Sequence, residues 1–148
     1  MQLDVVAAAS SDREWLYALH RAAMRAMVEA SYGPWVETDQ RARFAANLAS
    51  HDVYVARVAA ERVGAVYLSE SDEAVDLALL EIDPARQRRG LGSLAVRWVV
   101  DRAARQEKPV RLQVLHANDG ARRLYERLGF RPVDRTATHV VMGLETSR

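Results

Sequence analysis

The chain has 148 residues, of which 49% are hydrophobic, so length and composition predict one compact domain over residues 1–148 with a substantial core. Lysine and arginine total 21 against 20 for aspartate and glutamate, a formal net charge of +1. This balance lacks the overall positive charge typical of nucleic-acid-binding proteins. The absence of cysteine excludes disulfides, thiolate zinc sites and cysteine nucleophiles.

The sequence does not indicate a metal site, a targeting segment or a membrane span. The four histidines, His20, His51, His116 and His139, are too far apart for a histidine-based metal motif. The first ten residues contain Asp4 and lack a basic start, so no secretory leader is expected. No apolar run approaches the roughly 20 residues of a membrane helix. We therefore expect a cytoplasmic protein with no metal and no membrane or nucleic-acid partner.

The first half of the chain predicts a strand, two helices and three further strands. A strand over Leu3–Ala8 is followed by Ser11 and Glu14 at capping-box spacing, which predicts the start of the first helix. The core face of this helix is predicted at Trp15, Leu19, Ala22, Ala23, Ala26, Met27 and Ala30. Tyr32-Gly33-Pro34 ends it, and a second helix is predicted over Thr38–Leu48. The period of two that follows predicts strands over residues 53–59, 63–69 and 74–82.

The second half predicts two helices alternating with strands. The first helix runs from Gly90 to Gln106, the next strand is Val110–Leu115, and Asn118 and Gly129 bound the last helix. A closing hairpin is predicted over residues 131–134 and 138–144. The order βααβββαβαββ predicts an α+β fold, in which helices flank a mixed, mostly antiparallel sheet.

The segment that leads into the Gly90 helix is typical of an anion-binding loop. It supplies Arg86, Arg88 and Arg89, and Gly90 and Gly92 open the helix, where backbone N–H groups have no intrahelical partners. A side chain at position 90 or 92 would keep a phosphate away from this backbone. The pattern therefore predicts a local phosphate site.

A dinucleotide site is an alternative interpretation, because Gly90–Ala95 also fits the G-x-G-x-x-A fingerprint. Two features disfavour it. The residues Asp83–Arg89 separate the preceding strand from Gly90, and the next strand ends in His116 rather than an acid. A P-loop is excluded, since no Gly-Lys-Ser or Gly-Lys-Thr occurs.

Two blocks of sequence carry a family resemblance. The first, Gln87-Arg88-Arg89-Gly90-Leu91-Gly92, fits Q/R-x-x-G-x-G/A, and the second, from Asn118 to Phe130, fits N-x-x-A-x-x-L-Y-x-x-x-G-F. Both patterns, joined here by a predicted helix and strand, resemble those of the GNAT acyltransferases, the Gcn5-related N-acetyltransferase superfamily. The resemblance implies a single GNAT domain in which the strands before and after the central helix are splayed. It is strongest over Leu77–Phe130.

The resemblance also implies roles for individual residues. The backbone of Leu80, Glu81 and Ile82 would hold pantetheine and the thioester carbonyl of acetyl-CoA, and Asn118 would contact the pantetheine arm. Tyr125 would protonate the leaving thiolate of coenzyme A. The pyrophosphate would bind to Gln87, Arg88, Arg89, Gly90, Leu91, Gly92 and Ser93.

The residues themselves leave some roles open. Tyr125 also falls on an apolar helix stripe, where packing is the alternative role, and Asn118 fits a helix N-cap. The general base is Glu81, Asp76 or an ordered water. Glu81 and Asp76 share a face only if a bulge separates them, which we predict at Leu79-Leu80. Some family members carry a glutamate where this chain has Gln113, which cannot act as a base.

The sequence thus predicts an N-acetyltransferase that moves acetyl from acetyl-CoA to a primary amine by direct attack in a ternary complex. The acceptor is a small-molecule or peptide amine, with Tyr32–Trp35, Tyr67 and His139 as candidate acceptor contacts. A homodimer is compatible with the predicted edge strands. The alternatives are a non-catalytic acyl-CoA-binding module of the same fold and a dinucleotide-binding protein.

Overall fold

The structure, a computed structural model, describes residues 2–87 and 89–146 and confirms the predicted order of elements. The strands are β1 (Asp4–Ala7), β2 (Asp52–Val58), β3 (Glu61–Glu70), β4 (Val75–Ile82), β5 (Val110–Leu115), β6 (Arg131–Arg135) and β7 (His139–Leu144). The helices are α1 (Arg13–Tyr32), α2 (Glu37–Ser50), α3 (Leu91–Arg105) and α4 (Asp119–Arg127), and short 3-10 turns precede α1 and α3. Across the described ranges, no helix has the length and apolar character needed to cross a membrane.

The seven strands form one sheet in the order β1-β2-β3-β4-β5-β7-β6, which confirms the predicted α+β fold. Every neighbouring pair is antiparallel except β4 and β5, which are parallel and are joined by the crossover through α3. β4 and β5 are paired only where Val75–Leu77 meets Val110–Leu112. Beyond these residues the two strands separate, so the sheet opens near its centre.

The helices cover both faces of the sheet, and each face has its own core. One core joins α3 and α4 to the central strands through buried residues that include Val66, Leu77, Val96, Val99, Tyr125 and Phe130. The other joins α1 and α2 to β2 and β3 through Leu16, Tyr17, Leu19, Phe44, Val55, Ala65 and Tyr67. Burial of such apolar side chains stabilises the fold by about 1.5–3 kcal/mol each.

The predicted bulge in β4 is present, but it lies at Ala78 rather than at Leu79-Leu80. The residues on either side of Ala78 pair with consecutive residues of β3, which leaves Ala78 without a partner there. The bulge reverses the alternation of the strand, so that Asp76 and Glu81 lie on the same face, toward α1 and α2. The prediction that a bulge brings these two carboxylates to one face is therefore confirmed.

The start of α1 differs from the predicted capping box at Ser11. The helix begins one residue after Asp12, whose carboxylate accepts a hydrogen bond from the Ala9 N–H at 2.9 Å. The same carboxylate forms an ion pair with Arg62 of β3, at 3.1 Å. Asp12 therefore ties the helix start to the sheet, a long-range contact that local spacing does not encode.

The buried face of α1 is also rotated from the predicted one. Its fully buried residues are Leu16, Tyr17, Leu19 and His20, whereas the predicted core residues Ala22, Ala26 and Ala30 are exposed. Alanine contributes little buried area, so the leucine-bearing side of the helix packs on the sheet instead. As a result, one polar side chain, His20, stands inside the core.

Candidate active site

The separation of β4 from β5 opens a cleft of about 400 Å³. The N-terminus of α3 and the side of α4 form one wall, and α1 reaches it from the opposite face of the sheet. The sequence-predicted site residues that line it are Leu80, Glu81, Ile82, Gln87, Gly90, Leu91, Gly92, Ser93, Asn118 and Tyr125. The two motifs, distant in sequence, are thus brought together around one cavity.

The start of α3 presents backbone donors to this cleft. Gly90 is the N-cap and has a left-handed φ of +78°, a conformation that glycine adopts without strain. The Leu94 N–H donates to the Gly90 carbonyl at 3.1 Å, so the N–H groups of the preceding helical residues have no intrahelical acceptor. At Gly92 an added Cβ would lie 3.2 Å from the Leu124 side chain. This arrangement suits an anion such as a phosphate.

Two of the three arginines of the loop, Arg86 and Arg89, do not line the cleft. Arg86 forms an ion pair with Glu61 of β3 at 2.5 Å. Arg89 is exposed and lies outside the described lining of the cleft, and Arg88 lies outside the described residues. Among the described residues of the lining, the one cationic side chain is that of Arg127 on α4. No sequence motif discussed above indicates this residue.

Glu81 places a buried carboxylate beside the cleft. The residue is 2% exposed, and its Oε2 atom lies 2.6 Å from Nδ1 of His20 on α1. When Glu81 is ionised its carboxylate only accepts hydrogen bonds, so the His20 Nδ1–H is then the donor. Within the described part of the chain, Oε1 has no hydrogen-bond partner. Burial raises the pKa of Glu81 above its ordinary value, and the bond from His20 partly opposes that rise.

Aromatic rings hold His20 in this position. Its ring centroid lies 5.7 Å from that of Trp35 and 6.2 Å from that of Phe44. The Trp35 indole N–H donates to Glu37 at 3.1 Å, which fixes the loop between α1 and α2 against the histidine. Sequence reasoning missed His20, although a histidine one residue after the predicted core residue Leu19 was an available signal.

Tyr125 lies on the other side of the cleft, on α4. It is 7% exposed and packs edge-on against Phe130 at a ring-centroid distance of 5.6 Å. Burial raises the pKa of its hydroxyl to about 12, so the group is protonated at neutral pH and can donate a proton. Tyr125 therefore both packs in the core and lines the cleft.

Asn118 has the structural role that its position suggests. Its side-chain oxygen accepts a hydrogen bond from the Ala121 N–H at 3.1 Å and caps α4, as predicted. The residue also lines the cleft. The cap uses only the oxygen, so the side-chain NH₂ is left for other partners.

A second cavity, which we call the side pocket, opens from the cleft toward α1 and β7. It has a volume of about 210 Å³. It shares Met24, Leu80, Asn118, Ala121 and Tyr125 with the cleft. Its remaining lining is Val28, Tyr32, Leu77, Ala78, Leu79, Gln113, Val114, Leu115 and His139.

The structure separates the remaining candidates of the sequence analysis. Tyr32 and His139 line the side pocket, whereas Tyr67 is buried in the core beneath α1 and α2. Asp76 lies in another depression, beside Arg111, and does not line the cleft. Of the two candidate bases, Glu81 is therefore the one at the cleft. No cluster of three or more potential metal ligands occurs in residues 2–87 and 89–146.

The chain matches the family model described as the acetyltransferase (GNAT) family over residues 16–130. No curated protein matches it in sequence. Among solved structures it is similar to the ribosomal-protein-S18-alanine N-acetyltransferase from Escherichia coli, with a TM-score of 0.75 and 21% identity over 99% of this chain and 96% of that one. It is also similar to an acetyltransferase from Thermus thermophilus, with a TM-score of 0.77 and 20% identity over 98% and 97% of the two chains.

A third similar structure contains a ligand. It is the PaiA N-acetyltransferase from Thermoplasma acidophilum in complex with coenzyme A, with a TM-score of 0.74 and 16% identity over 98% of this chain and 99% of that one. At these identities the structural similarities establish the fold.

Proposed function

Because the chain belongs to the acetyltransferase (GNAT) family, we propose that it transfers the acetyl group of acetyl-CoA to a primary amine by direct attack in a ternary complex. One observation carries this proposal. The cleft is lined by Glu81, whose carboxylate is buried, and by Tyr125, whose hydroxyl is protonated. A base and an acid that flank one cavity suit a reaction that removes a proton from one reactant and adds a proton to the other.

The residues of the cleft fit acetyl-CoA. The α3 N-terminus offers backbone N–H groups to the pyrophosphate, and Gly92 keeps that backbone free of a Cβ. Beyond Leu77, β4 has no partner on the β5 side, so its open edge can pair with the amides of pantetheine as with a peptide strand. The complex of PaiA N-acetyltransferase with coenzyme A supports the same use of the fold here.

The proposed chemistry divides between two side chains. Acetyl-CoA supplies an acetyl group activated as a thioester, and the transfer forms a C–N bond and breaks the C–S bond. Glu81 Oε1 accepts the proton that the attacking amine loses, and its raised pKa makes it a stronger base than an ordinary glutamate. The Tyr125 hydroxyl donates a proton to the sulfur as the thiolate leaves. Backbone N–H groups at the end of β4 stabilise the oxyanion.

His20 acts through Glu81 as a positioning residue. By donating to Oε2, it fixes the carboxylate, and Oε1 keeps no hydrogen-bond partner among the described residues. A buried carboxylate atom without a partner is costly, and the proton of a bound amine would supply the missing hydrogen bond.

Thermal stability and thiol release test the proposal together. Acetyl-CoA at about 100 times its dissociation constant should add about 2.7 kcal/mol of stability, whereas NAD should add none. With acetyl-CoA and a panel of primary amines, free thiol should appear at a rate that depends on the amine. An unchanged melting temperature with acetyl-CoA contradicts the proposal. Binding without amine-dependent thiol release indicates a binding module instead.

A further inference from the structure

The side pocket carries no formal charge. Among the described residues that line it, there is no aspartate, glutamate, lysine or arginine. Its polar members are Tyr32, Gln113, Asn118, Tyr125 and His139. Burial and the nearby His116 lower the pKa of His139, which keeps its ring neutral at neutral pH.

The charged residues around the side pocket line the cavities that adjoin it. Glu81 lines the cleft, and its Oε2 is held by His20. Asp76 and Arg111 line a neighbouring depression, which shares Leu77, Ala78, Gln113 and His139 with the side pocket, but neither charged residue lines the side pocket itself. A charge on the group attached to the amine of an acceptor would therefore have no ionic partner among the described residues that line the side pocket. Desolvating an unpaired charge is strongly unfavourable.

The small volume of the side pocket limits the size of the group that it can hold. Its volume of about 210 Å³ is below the roughly 300–1,000 Å³ of typical small-molecule sites. Met24, Val28 and Leu79 supply apolar walls, and Gln113 offers an amide. Because the side pocket meets the cleft at Leu80 and Tyr125, a group bound in it has its amine next to the proposed transfer site.

We infer that the side pocket binds the acceptor and selects a primary amine whose attached group is small, uncharged and mostly apolar. This inference rests on the proposed function. A simple alkylamine and the first residue of a peptide share this chemistry. Polyamines and free amino acids do not, because each brings a further charge into a pocket whose described lining offers no counter-ion.

Two matched pairs of acceptors test the inference with the full-length protein. Pentylamine and cadaverine differ by one additional ammonium group, and leucinamide and leucine differ by one carboxylate. We expect kcat/KM for thiol release to be at least about tenfold higher for the member of each pair that lacks the additional charge, which corresponds to about 1.4 kcal/mol. Comparing pentylamine with leucinamide distinguishes the alkylamine from the peptide-like acceptor.

The outcomes separate this inference from the proposed function. Equal or faster release with cadaverine or leucine overturns the inference and leaves acetyl transfer intact. Stabilisation by acetyl-CoA without release from any of the four amines also overturns it. The absence of both stabilisation and release contradicts the proposed function itself.

A charge introduced into the side pocket provides a second test. Val28 is half-buried in the lining, and Ala26 is exposed on the same helix. Val28→Asp should raise the ratio of kcat/KM for cadaverine to that for pentylamine by about tenfold or more, because the new carboxylate pairs with the second ammonium group. Ala26→Asp adds the same charge outside the pocket and should leave the ratio unchanged. Equal ratios in the two variants contradict the inference.

Discussion

His20 and Glu81 are 61 residues apart in the sequence, yet Nδ1 of the histidine lies 2.6 Å from Oε2 of the glutamate across the interface between α1 and β4. Both residues are buried. A carboxylate so far from water is strongly destabilising unless it is protonated or hydrogen-bonded. The contact stabilises one carboxylate oxygen and leaves the other without a hydrogen-bond partner among the described residues. Because Glu81 lines the cleft, this contact links α1 to the candidate active site.

Glu81→Gln tests the role of the carboxylate as base. Glu81 must be ionised to accept a proton, so turnover rises with pH through its pKa, which burial places above that of an ordinary glutamate. The glutamine keeps the shape of the side chain but cannot accept the proton. We expect turnover to fall about 100-fold or more and the rising limb of the pH–rate profile to disappear. Stabilisation by acetyl-CoA should be retained, and an unaltered profile would assign the proton to water or Asp76.

Substitutions of His20 test its action on Glu81. The hydrogen bond from His20 lowers the pKa of Glu81, so removing it in His20→Phe should move the rising limb of the pH–rate profile to higher pH. His20→Asn retains an N–H donor and should move the limb back toward that of the wild type. A purely structural role would lower stability in His20→Phe without displacing the limb.

Gly64→Ala tests how closely β3 must approach the end of β4. A Cβ at Gly64 would lie 2.6 Å from the Glu81 carbonyl oxygen and 2.9 Å from Cδ1 of Ile82, so β4 has to shift. We expect a loss of about 1–3 kcal/mol in the free energy of unfolding and weaker binding of acetyl-CoA. Urea denaturation with and without acetyl-CoA measures both effects.

Gly143→Ala is the matched control for that substitution. A Cβ at Gly143 on β7 would make only ordinary contacts, at 3.6 Å and 3.8 Å. Its unfolding free energy should change by much less than that of Gly64→Ala. Equal losses in the two variants would show that any strand glycine is sensitive and that the approach to β4 is not special.

Gly92→Val tests the anion site at the start of α3. The larger side chain would fill the space over the backbone N–H groups and press on Leu124, whose Cδ2 would lie 3.2 Å from the new Cβ. We expect the stabilisation by acetyl-CoA to be lost. Arg97→Ala, on the exposed face of α3, should retain it. Equal loss in both variants would indicate general destabilisation of the helix.

Local rules were sufficient to predict the parts of the site that depend on adjacent residues. Gly90 at the N-cap of α3, Asn118 at the N-cap of α4 and Gly129 after α4 all follow from backbone conformation or capping within one helical turn. That these segments belong to one site is predicted by the family resemblance and not by local rules. In the structure, Gly90 and Asn118 line the same cleft.

Contacts between distant segments could not be predicted in the same way. The bond of His20 to Glu81 and the ion pair of Asp12 with Arg62 join residues on different elements, so no spacing within one element reveals them. The predicted position of the bulge, Leu79-Leu80, is adjacent to the observed one at Ala78. The observed position depends on the register with β3 and not on the residues of β4 alone.

The most direct test of the proposed transfer is the turnover of Tyr125→Phe, measured with a reactive amine at saturating acetyl-CoA where the chemical step limits the rate. The substitution keeps the ring that packs on Phe130 and removes only the hydroxyl. We expect turnover to fall by about 100- to 10,000-fold, with little change in melting temperature or acetyl-CoA affinity. Turnover equal to that of the wild type would contradict the role of Tyr125 as the acid.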